Sequence, residues 1–139
     1  MDIEYKFSVT APCSLHDRRI NRIKPIGDHL RLYFESGYYS LNHDAQVNGN
    51  LLIQDVSMNF SDVHFLSENG NYGNFKGIRM ELACFLNRFK NFSLEIIDEL
   101  HGYNTVFYRG FLALPNKQNL IDMTISIYYT GNIVYEIKD

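Results

Sequence analysis

The stretch from Leu15 to Leu41, LHDRRINRIKPIGDHLRLYFESGYYSL, decides the fold of this chain. At 30–34, LRLYF, apolar residues alternate with larger polar ones, and side chains in a strand point to opposite faces with this period. The preceding PIGD at 25–28 favours a chain reversal, because proline presets one turn dihedral and glycine accepts positive φ. Upstream, Ile20 and Ile23 are three apart, which predicts a bulge or an irregular strand.

A second turn signal follows at Ser36-Gly37. If the chain reverses there, Tyr39 and Leu41 resume the apolar face and Tyr38 lies on the opposite one. The stretch therefore predicts three short antiparallel strands, on which the rest of the chain packs.

The remaining sequence predicts mostly strands and one helix. Leu82, Phe85, Leu86 and Phe89 follow the spacing of one helical face, although no good N-cap residue precedes them. Gly131-Asn132 predicts a tight hairpin turn. We expect one α+β domain over residues 1–139, mostly antiparallel β as a two-layer sandwich or a curved sheet, with one short helix near residues 80–89. Other strands are expected at 3–9, 51–58, 63–66, 92–96, 106–112, 121–128 and 133–137, and loops at 43–50, 69–74 and 115–117.

Composition excludes several classes of protein. With 45% hydrophobic and 21% charged residues the chain is not disordered, and a net charge of −3 is too mild to indicate a nucleic-acid partner. Cys13 and Cys84 are far apart and predict reduced thiols rather than a disulfide framework. The start of the sequence does not resemble a signal peptide, and no window approaches the roughly 18 apolar residues of a membrane span. We expect a cytoplasmic protein with no membrane and no nucleic-acid partner.

The pair His16-Asp17 is the first candidate for chemistry. Adjacent His and Asp ligands occur in metal-dependent phosphohydrolases, but there they lie on helices, whereas this pair precedes a strand. Hydrogen bonding to backbone amides at the strand entry is the favoured alternative. Cys13 and His16 have a metal-ligand spacing, but no second Cys/His pair completes a tetrahedral site. The sequence therefore predicts no cofactor and no metal, and a metal-dependent hydrolase using His16 and Asp17 remains an alternative.

Two further constellations permit other functions. Glu95, Asp98 and Glu99 could form a glycosidase pair, but a solvated strand edge, where charge deters edge-to-edge pairing, is favoured. An aromatic platform for a carbohydrate or small ligand is the second alternative function. Its candidate residues are all tyrosines: Tyr38, Tyr39, Tyr72, Tyr103, Tyr128 and Tyr129.

The favoured function is binding of another protein without catalysis, since no catalytic motif is recognised. Tyrosine and arginine are enriched at binding hot spots, and the predicted partner-binding residues are of these two types: Arg19, Arg31, Tyr33, Tyr38 and Tyr128. The charge is uneven along the chain, basic around 18–31 and acidic around 95–99, which could orient a partner. Self-association through a sheet edge is the competing explanation.

One resemblance supports this preference. Leu15-His16-Asp17, Ile20 and the strand at 30–34 resemble the opening of small uncharacterised bacterial β-rich domains with a Leu-His-Asp/β-hairpin start, some of which are suspected to be immunity proteins. The resemblance covers about residues 15–41 and the final hairpin ending at 133–135. It implies a binding role, and it supplies no active site.

Overall fold

The computed structural model describes residues 1–2, 11–68 and 77–138. The predicted strand at 3–9 and loop at 69–74 lie outside these residues. Within them, the chain forms the following elements in order: β1 (Cys13–Ser14), β2 (Arg19–Ile26), β3 (His29–Phe34), β4 (Tyr38–Ser40), β5 (Ala45–Ile53), β6 (Val56–Glu68), β7 (Ile78–Glu81), α1 (Leu82–Arg88), β8 (Ser93–Gly102), β9 (Thr105–Ala113), β10 (Ile121–Tyr129) and β11 (Ile133–Lys138).

The described strands form one open sheet, and all their pairings are antiparallel. The order is β1-β4-β5-β3-β2-β8-β9-β10-β6-β7, with β11 on the remaining edge of β5. One short helix covers little of the buried face of so many strands, so most of that face must pack against other parts of the sheet. The predicted α+β class, mostly antiparallel β with one short helix, is confirmed.

The hairpin at the centre of the sequence prediction is also confirmed. β2 and β3 pair from Ile26–His29 to Ile20–Phe34, and the register shifts between Ile20 and Arg22. This shift is the predicted bulge, and it returns Ile23 to the buried face beside Ile20.

The predicted reversal at Ser36-Gly37 is wrong. β3 and β4 both pair with β5 in the antiparallel sense, so the chain continues in one direction through this irregular segment. Tyr38 therefore keeps the inward side that Phe34 occupies and is fully buried, while Leu41 is half exposed. The prediction placed Tyr39 and Leu41 on the buried face and Tyr38 on the outer face, which is the reverse of what the structure shows. The two-residue alternation of β3 continues through Gly37 into β4, whereas the prediction restarted it after the glycine.

The predicted loop at 43–50 is wrong from Ala45 onward. β5 already begins at Ala45 and includes Asn48-Gly49-Asn50 as strand residues. A Cβ at Gly49 would lie 2.5 Å from the Glu136 carbonyl oxygen and 2.8 Å from the Tyr38 hydroxyl. This glycine therefore marks a place where neighbouring strands approach closely, and not a turn.

The expected hairpin at Gly131-Asn132 is wrong as well. β11 pairs with β5 rather than with β10. The expected strand at 51–58 is interrupted at Gln54 and Asp55, between β5 and β6. These two residues are hydrogen-bonded to the segment 130–132. The Gln54 amide donates to the Asn132 carbonyl at 2.9 Å, and the Thr130 amide donates to the Asp55 carbonyl at 3.0 Å. The segment that joins β5 to β6 therefore runs beside the segment that joins β10 to β11. The pairs β5–β11 and β6–β10 form one long antiparallel ribbon that bends at this point.

The helix is confirmed and packs through aromatic rings. Its N-cap residue, Glu81, makes no side-chain capping bond, as the sequence indicated. Phe85 is fully buried, with its ring centroid 6.1 Å from Phe65, 5.2 Å from Phe89 and 5.4 Å from Phe92. These contacts hold α1 and the segment after it against the sheet. Cys84, also on this helix, is exposed.

Candidate functional site

Arg31 and Tyr33 lie on the outer face of the sheet. They alternate along β3 with the buried residues Leu30, Leu32 and Phe34, which is the predicted arrangement. In the register of the sheet, Tyr33 lies between Arg22 of β2 and Asn50 of β5. This face of β2 and β3 is therefore a band of long polar side chains.

Ion pairing fixes Arg31 in place. Its guanidinium donates to both carboxylate oxygens of Glu136, Nε to Oε1 at 2.8 Å and Nη2 to Oε2 at 3.1 Å. This bidentate bond raises the pKa of Arg31, and both side chains are about 30% exposed (27% and 31%). A shallow depression of about 330 Å³ surrounds the pair, lined by Arg31, Tyr33, Asn50, Glu136, Ile137 and Lys138.

Arg19 is also paired, in a way that changes the predicted charge distribution. Its Nη2 lies 2.8 Å from Glu95 Oε2, and Nη1 donates to the Ser93 hydroxyl at 3.3 Å. The sequence predicted separate basic and acidic regions that could orient a partner. β2 and β8 are neighbours, so part of the acidic region neutralises part of the basic one.

Arg22 and Lys24 have no carboxylate partner among the described residues. The Arg22 guanidinium lies 5.4 Å from the centroid of the Tyr33 ring, a cation–π distance. Arg22, Lys24 and Lys90 border a groove of about 450 Å³ between β2 and the segment formed by α1 and the residues after it. We call it the basic groove; its lining is Arg22, Ile23, Lys24, Pro25, Leu86, Asn87, Phe89, Lys90 and Phe92.

The basic groove exists because two neighbouring strands separate. β2 pairs with β8 only at Arg19 and Ile20, opposite Glu95 and Leu94. Before Ser93, where β8 begins, the chain leaves the sheet and leads back to α1. The groove opens at this divergence, with an apolar floor that includes the buried residues Ile23 and Phe92. No Asp or Glu lines it among the described residues.

The five predicted partner-binding residues do not form one surface. Tyr38 is fully buried, and its hydroxyl donates to the Asn50 carbonyl at 2.8 Å, so its expected exposure is wrong. Tyr128 lies on β10, which pairs with β9 and β6 rather than with β2 or β3. Its ring packs edge-on against the exposed Phe60, with centroids 6.0 Å apart. Arg31 and Tyr33 lie together on β3, and Arg19 lies on β2 beside it.

The tyrosine platform does not form among the described residues. Tyr38 is inside, Tyr39 bonds to Asp44, and Tyr103 is 91% exposed at the turn between β8 and β9. Tyr129 is partly buried on β10. Tyr72 lies outside the described residues.

His16 and Asp17 make local contacts at the entry to β2. His16 Nδ1 is 2.8 Å from the Ile97 carbonyl, so this nitrogen carries the donated proton, and Nε2 is 3.4 Å from Asp17 Oδ2. The Asp17 backbone amide donates to the Ile96 carbonyl at 2.8 Å. The favoured interpretation, hydrogen bonding to the backbone, is close to what is found, although His16 meets a carbonyl rather than an amide. Over the described residues, no three His, Cys, Asp or Glu side chains come together as a metal site.

The three acidic residues of β8 point to different places. Glu95 meets Arg19, Asp98 lies 3.6 Å from Arg109, and Glu99 bonds inward to His101 at 3.0 Å. A register shift between Ile96 and Asp98 causes the divergence. The expected strand edge is wrong for Glu95, which is paired with Arg19 of β2. At Asp98 and Glu99, β8 pairs only with β9 among the described strands, as a strand edge would.

The sequence did not indicate the role of three residues that define this region. Glu136 comes to Arg31 from a strand 105 positions later, and nothing near Glu136 marks that contact. Lys90 follows the predicted helix, and Phe92 was expected only as the first residue of the strand at 92–96. Their position opposite Arg22 and Lys24 depends on the divergence of β2 from β8.

Comparison with known proteins adds no relative. The chain matches no protein-family model, no curated protein and no solved structure. Within the described residues, no helix has the length and apolar character needed to cross a membrane.

Proposed function

We propose that this domain binds another protein and that the basic groove, with the adjoining outer face of β2 and β3, is the contact surface. One observation carries the proposal. Three cations, Arg22, Lys24 and Lys90, border an apolar groove that no described carboxylate lines, in a chain whose net charge is −3. A partner that brings carboxylates and apolar side chains satisfies both features.

The outer face next to the groove is suited to the same role. Tyr33 is held beside Arg22, and Arg31 is fixed by Glu136. Side chains already ordered before binding lose little conformational entropy when a partner docks. Arginine and tyrosine in such positions are frequent hot-spot residues. The role requires no catalytic step and no cofactor.

The resemblance of residues 15–41 to suspected immunity domains makes the proposal more specific. An immunity-type protein would bind and neutralise a toxin. Co-expression with toxins encoded near this chain in its native host tests this form directly, with survival as the readout.

The general proposal is tested by capture from the native host with two matched variants. Lys24→Glu reverses a charge in the basic groove, and Lys117→Glu makes the same change on an exposed loop residue. We expect a partner that the original protein and Lys117→Glu retain and that Lys24→Glu loses. A partner retained equally by both variants would place binding elsewhere, and no reproducible partner would contradict the proposal.

Self-association is the second candidate, favoured by a different observation. Phe60 and Tyr128 form an exposed aromatic pair, and Leu100, also exposed, lies on β8 opposite Phe107 of β9. Exposed apolar side chains that lie together often mark an interface. Light scattering of the original protein and of Phe60→Ser decides this candidate: a dimer that Phe60→Ser converts to a monomer supports it, and a monomer in both excludes it.

A further inference from the structure

The edge of β2 changes neighbours along its length. Arg19 and Ile20 pair with β8 on one side and the strand pairs with β3 on the other. From Asn21 onward, β2 pairs only with β3 among the described strands. The second edge of residues 21–26 therefore borders the basic groove. Backbone groups along such an edge can accept another strand.

Side chains along this edge alternate between two environments. Arg22 and Lys24 are exposed on the outer face, while Ile23 between them is buried beneath the groove. The opposite wall, from α1 and the segment after it, adds the partly or fully buried Leu86, Phe89 and Phe92 and the exposed Lys90. A strand laid in the groove would place successive side chains alternately among cations and among apolar groups.

We propose that an extended segment of the partner protein adds to β2 as a strand along Asn21–Lys24, with acidic and apolar residues in alternation. This inference rests on the proposed function and names how the partner is bound. Its backbone would pair with β2, its acidic side chains would face Arg22, Lys24 and Lys90, and its apolar side chains would enter the groove. Main-chain bonds supply affinity and the alternate pockets supply selectivity in this mode of recognition.

Pro25 limits the length of the added strand. Proline has no backbone N–H and cannot donate to a ladder. Pairing is therefore confined to the residues before it, and at about 3.3 Å per residue a segment of about four to six residues fills the edge.

The charge of the groove selects an acidic segment. Arg19, the nearest cation at the paired end of β2, is already neutralised by Glu95 at 2.8 Å. The groove itself contains three cations, Arg22, Lys24 and Lys90, and no carboxylate lines it among the described residues. Opposite charges placed there gain attraction and also exclude basic segments.

A designed peptide tests the mode of binding. The probe is a fluorescent eight-residue peptide of alternating Glu and Val, with a Lys-Val peptide as its control, and binding to the full chain is followed by anisotropy at low ionic strength. We expect the Glu-Val peptide to bind, the Lys-Val peptide not to bind, and Lys24→Glu to weaken binding by about tenfold or more, equivalent to about 1.4 kcal/mol. Lys117→Glu should leave the affinity unchanged.

Backbone methylation separates strand addition from simple charge attraction. Alternate amides of an added strand point toward β2 and the others point away. Two peptides, each N-methylated on one alternate set of amides, carry the same charge. We expect one methylated peptide to lose binding and the other to retain it.

Three results would overturn the inference. If both methylated peptides bind alike, or if the Glu-Val peptide binds no better than the Lys-Val peptide, strand addition is wrong. If a single-stranded oligonucleotide of equal charge binds more tightly than the Glu-Val peptide, the occupant is wrong. The proposed function has its own outcome, since a partner lost on Lys24→Glu supports protein binding whatever the methylated peptides show.

Discussion

Arg19 and Glu95 face each other at the point where β2 and β8 meet, with Nη2 of the arginine 2.8 Å from Oε2 of the glutamate. Their backbones are also register partners in the short ladder that joins the two strands. Arg19 lies outside the lining of the basic groove, and its charge is neutralised by Glu95. Arg22 and Lys24, further along β2, line the groove and have no carboxylate partner in the part of the chain that the structure describes.

The Arg19–Glu95 pair should contribute little to stability. The two side chains are 43% and 29% exposed, and ion pairs at the surface are typically worth about 0.2–1 kcal/mol. A double-mutant cycle of Arg19→Ala and Glu95→Ala, measured by urea denaturation, should give a coupling free energy in this range that decreases with salt. A coupling several times larger, or one that salt leaves unchanged, would contradict the exposed geometry.

Gly110 should be far less replaceable than Gly102. A Cβ at Gly110 would lie 1.9 Å from the Glu95 carbonyl oxygen, whereas at Gly102 the nearest group is the Thr105 oxygen at 3.9 Å. Gly110→Ala must force β8 and β9 apart, at a cost of about 1–3 kcal/mol. Gly102→Ala should stay within about 0.5 kcal/mol of the original protein. Equal free energies of unfolding for the two variants would show that β8 and β9 do not approach so closely.

Tyr38 and Tyr108 provide a matched test of buried hydroxyl groups. The Tyr38 hydroxyl donates to the Asn50 carbonyl at 2.8 Å, whereas the Tyr108 hydroxyl has no partner among the described residues. Tyr38→Phe should lower the free energy of unfolding by about 0.5–1.5 kcal/mol, and Tyr108→Phe should be neutral or stabilising. The reverse order in urea denaturation would contradict the described hydrogen bonding.

Stability should fall at alkaline pH. Burial raises the pKa values of Tyr108, Tyr38 and Tyr135 above their ordinary value of about 10. The unfolded chain then loses tyrosine protons that the folded chain retains, so this contribution is fully present below about pH 10 and is lost as pH rises further. Tyr108→Phe should make the decline shallower. Ionisation of every tyrosine near pH 10 without unfolding would contradict the prediction.

The central hairpin could be predicted because its determinants are local. The alternation along residues 30–34, the turn at 25–28 and the irregular spacing of Ile20 and Ile23 all lie within one short stretch. Helix α1 was likewise specified by its own apolar spacing. Each of these elements has the same period in the sequence and in the structure.

Errors arose where distant strands decide the outcome. Gly49 has a turn-like sequence around it, but the backbone at Glu136 and the Tyr38 hydroxyl leave room only for a glycine at that position in the strand. Gly131-Asn132 has hairpin chemistry, yet β11 continues along β5. The local sequence pattern is the same for a glycine in a turn and for a glycine where two strands approach closely.

The candidate site was predicted only in part for the same reason. Arg31 and Tyr33 were correctly placed outward by the two-residue period of β3, and Tyr38 was misplaced when that period was broken at Gly37. The basic groove depends on the segment after α1, with Lys90, lying across from Lys24 of β2. That arrangement follows from the topology, which the sequence pattern did not determine.

A photo-crosslinking amino acid at Asn87, an exposed residue that lines the basic groove, tests the central claim most directly. The same residue at Lys117 is the control, and both proteins are irradiated in the native host. We predict one protein adduct at position 87 that is absent at position 117 and that disappears when Lys24→Glu is added. The same adducts at both positions, or an adduct at 87 that Lys24→Glu leaves intact, would contradict protein binding through this groove.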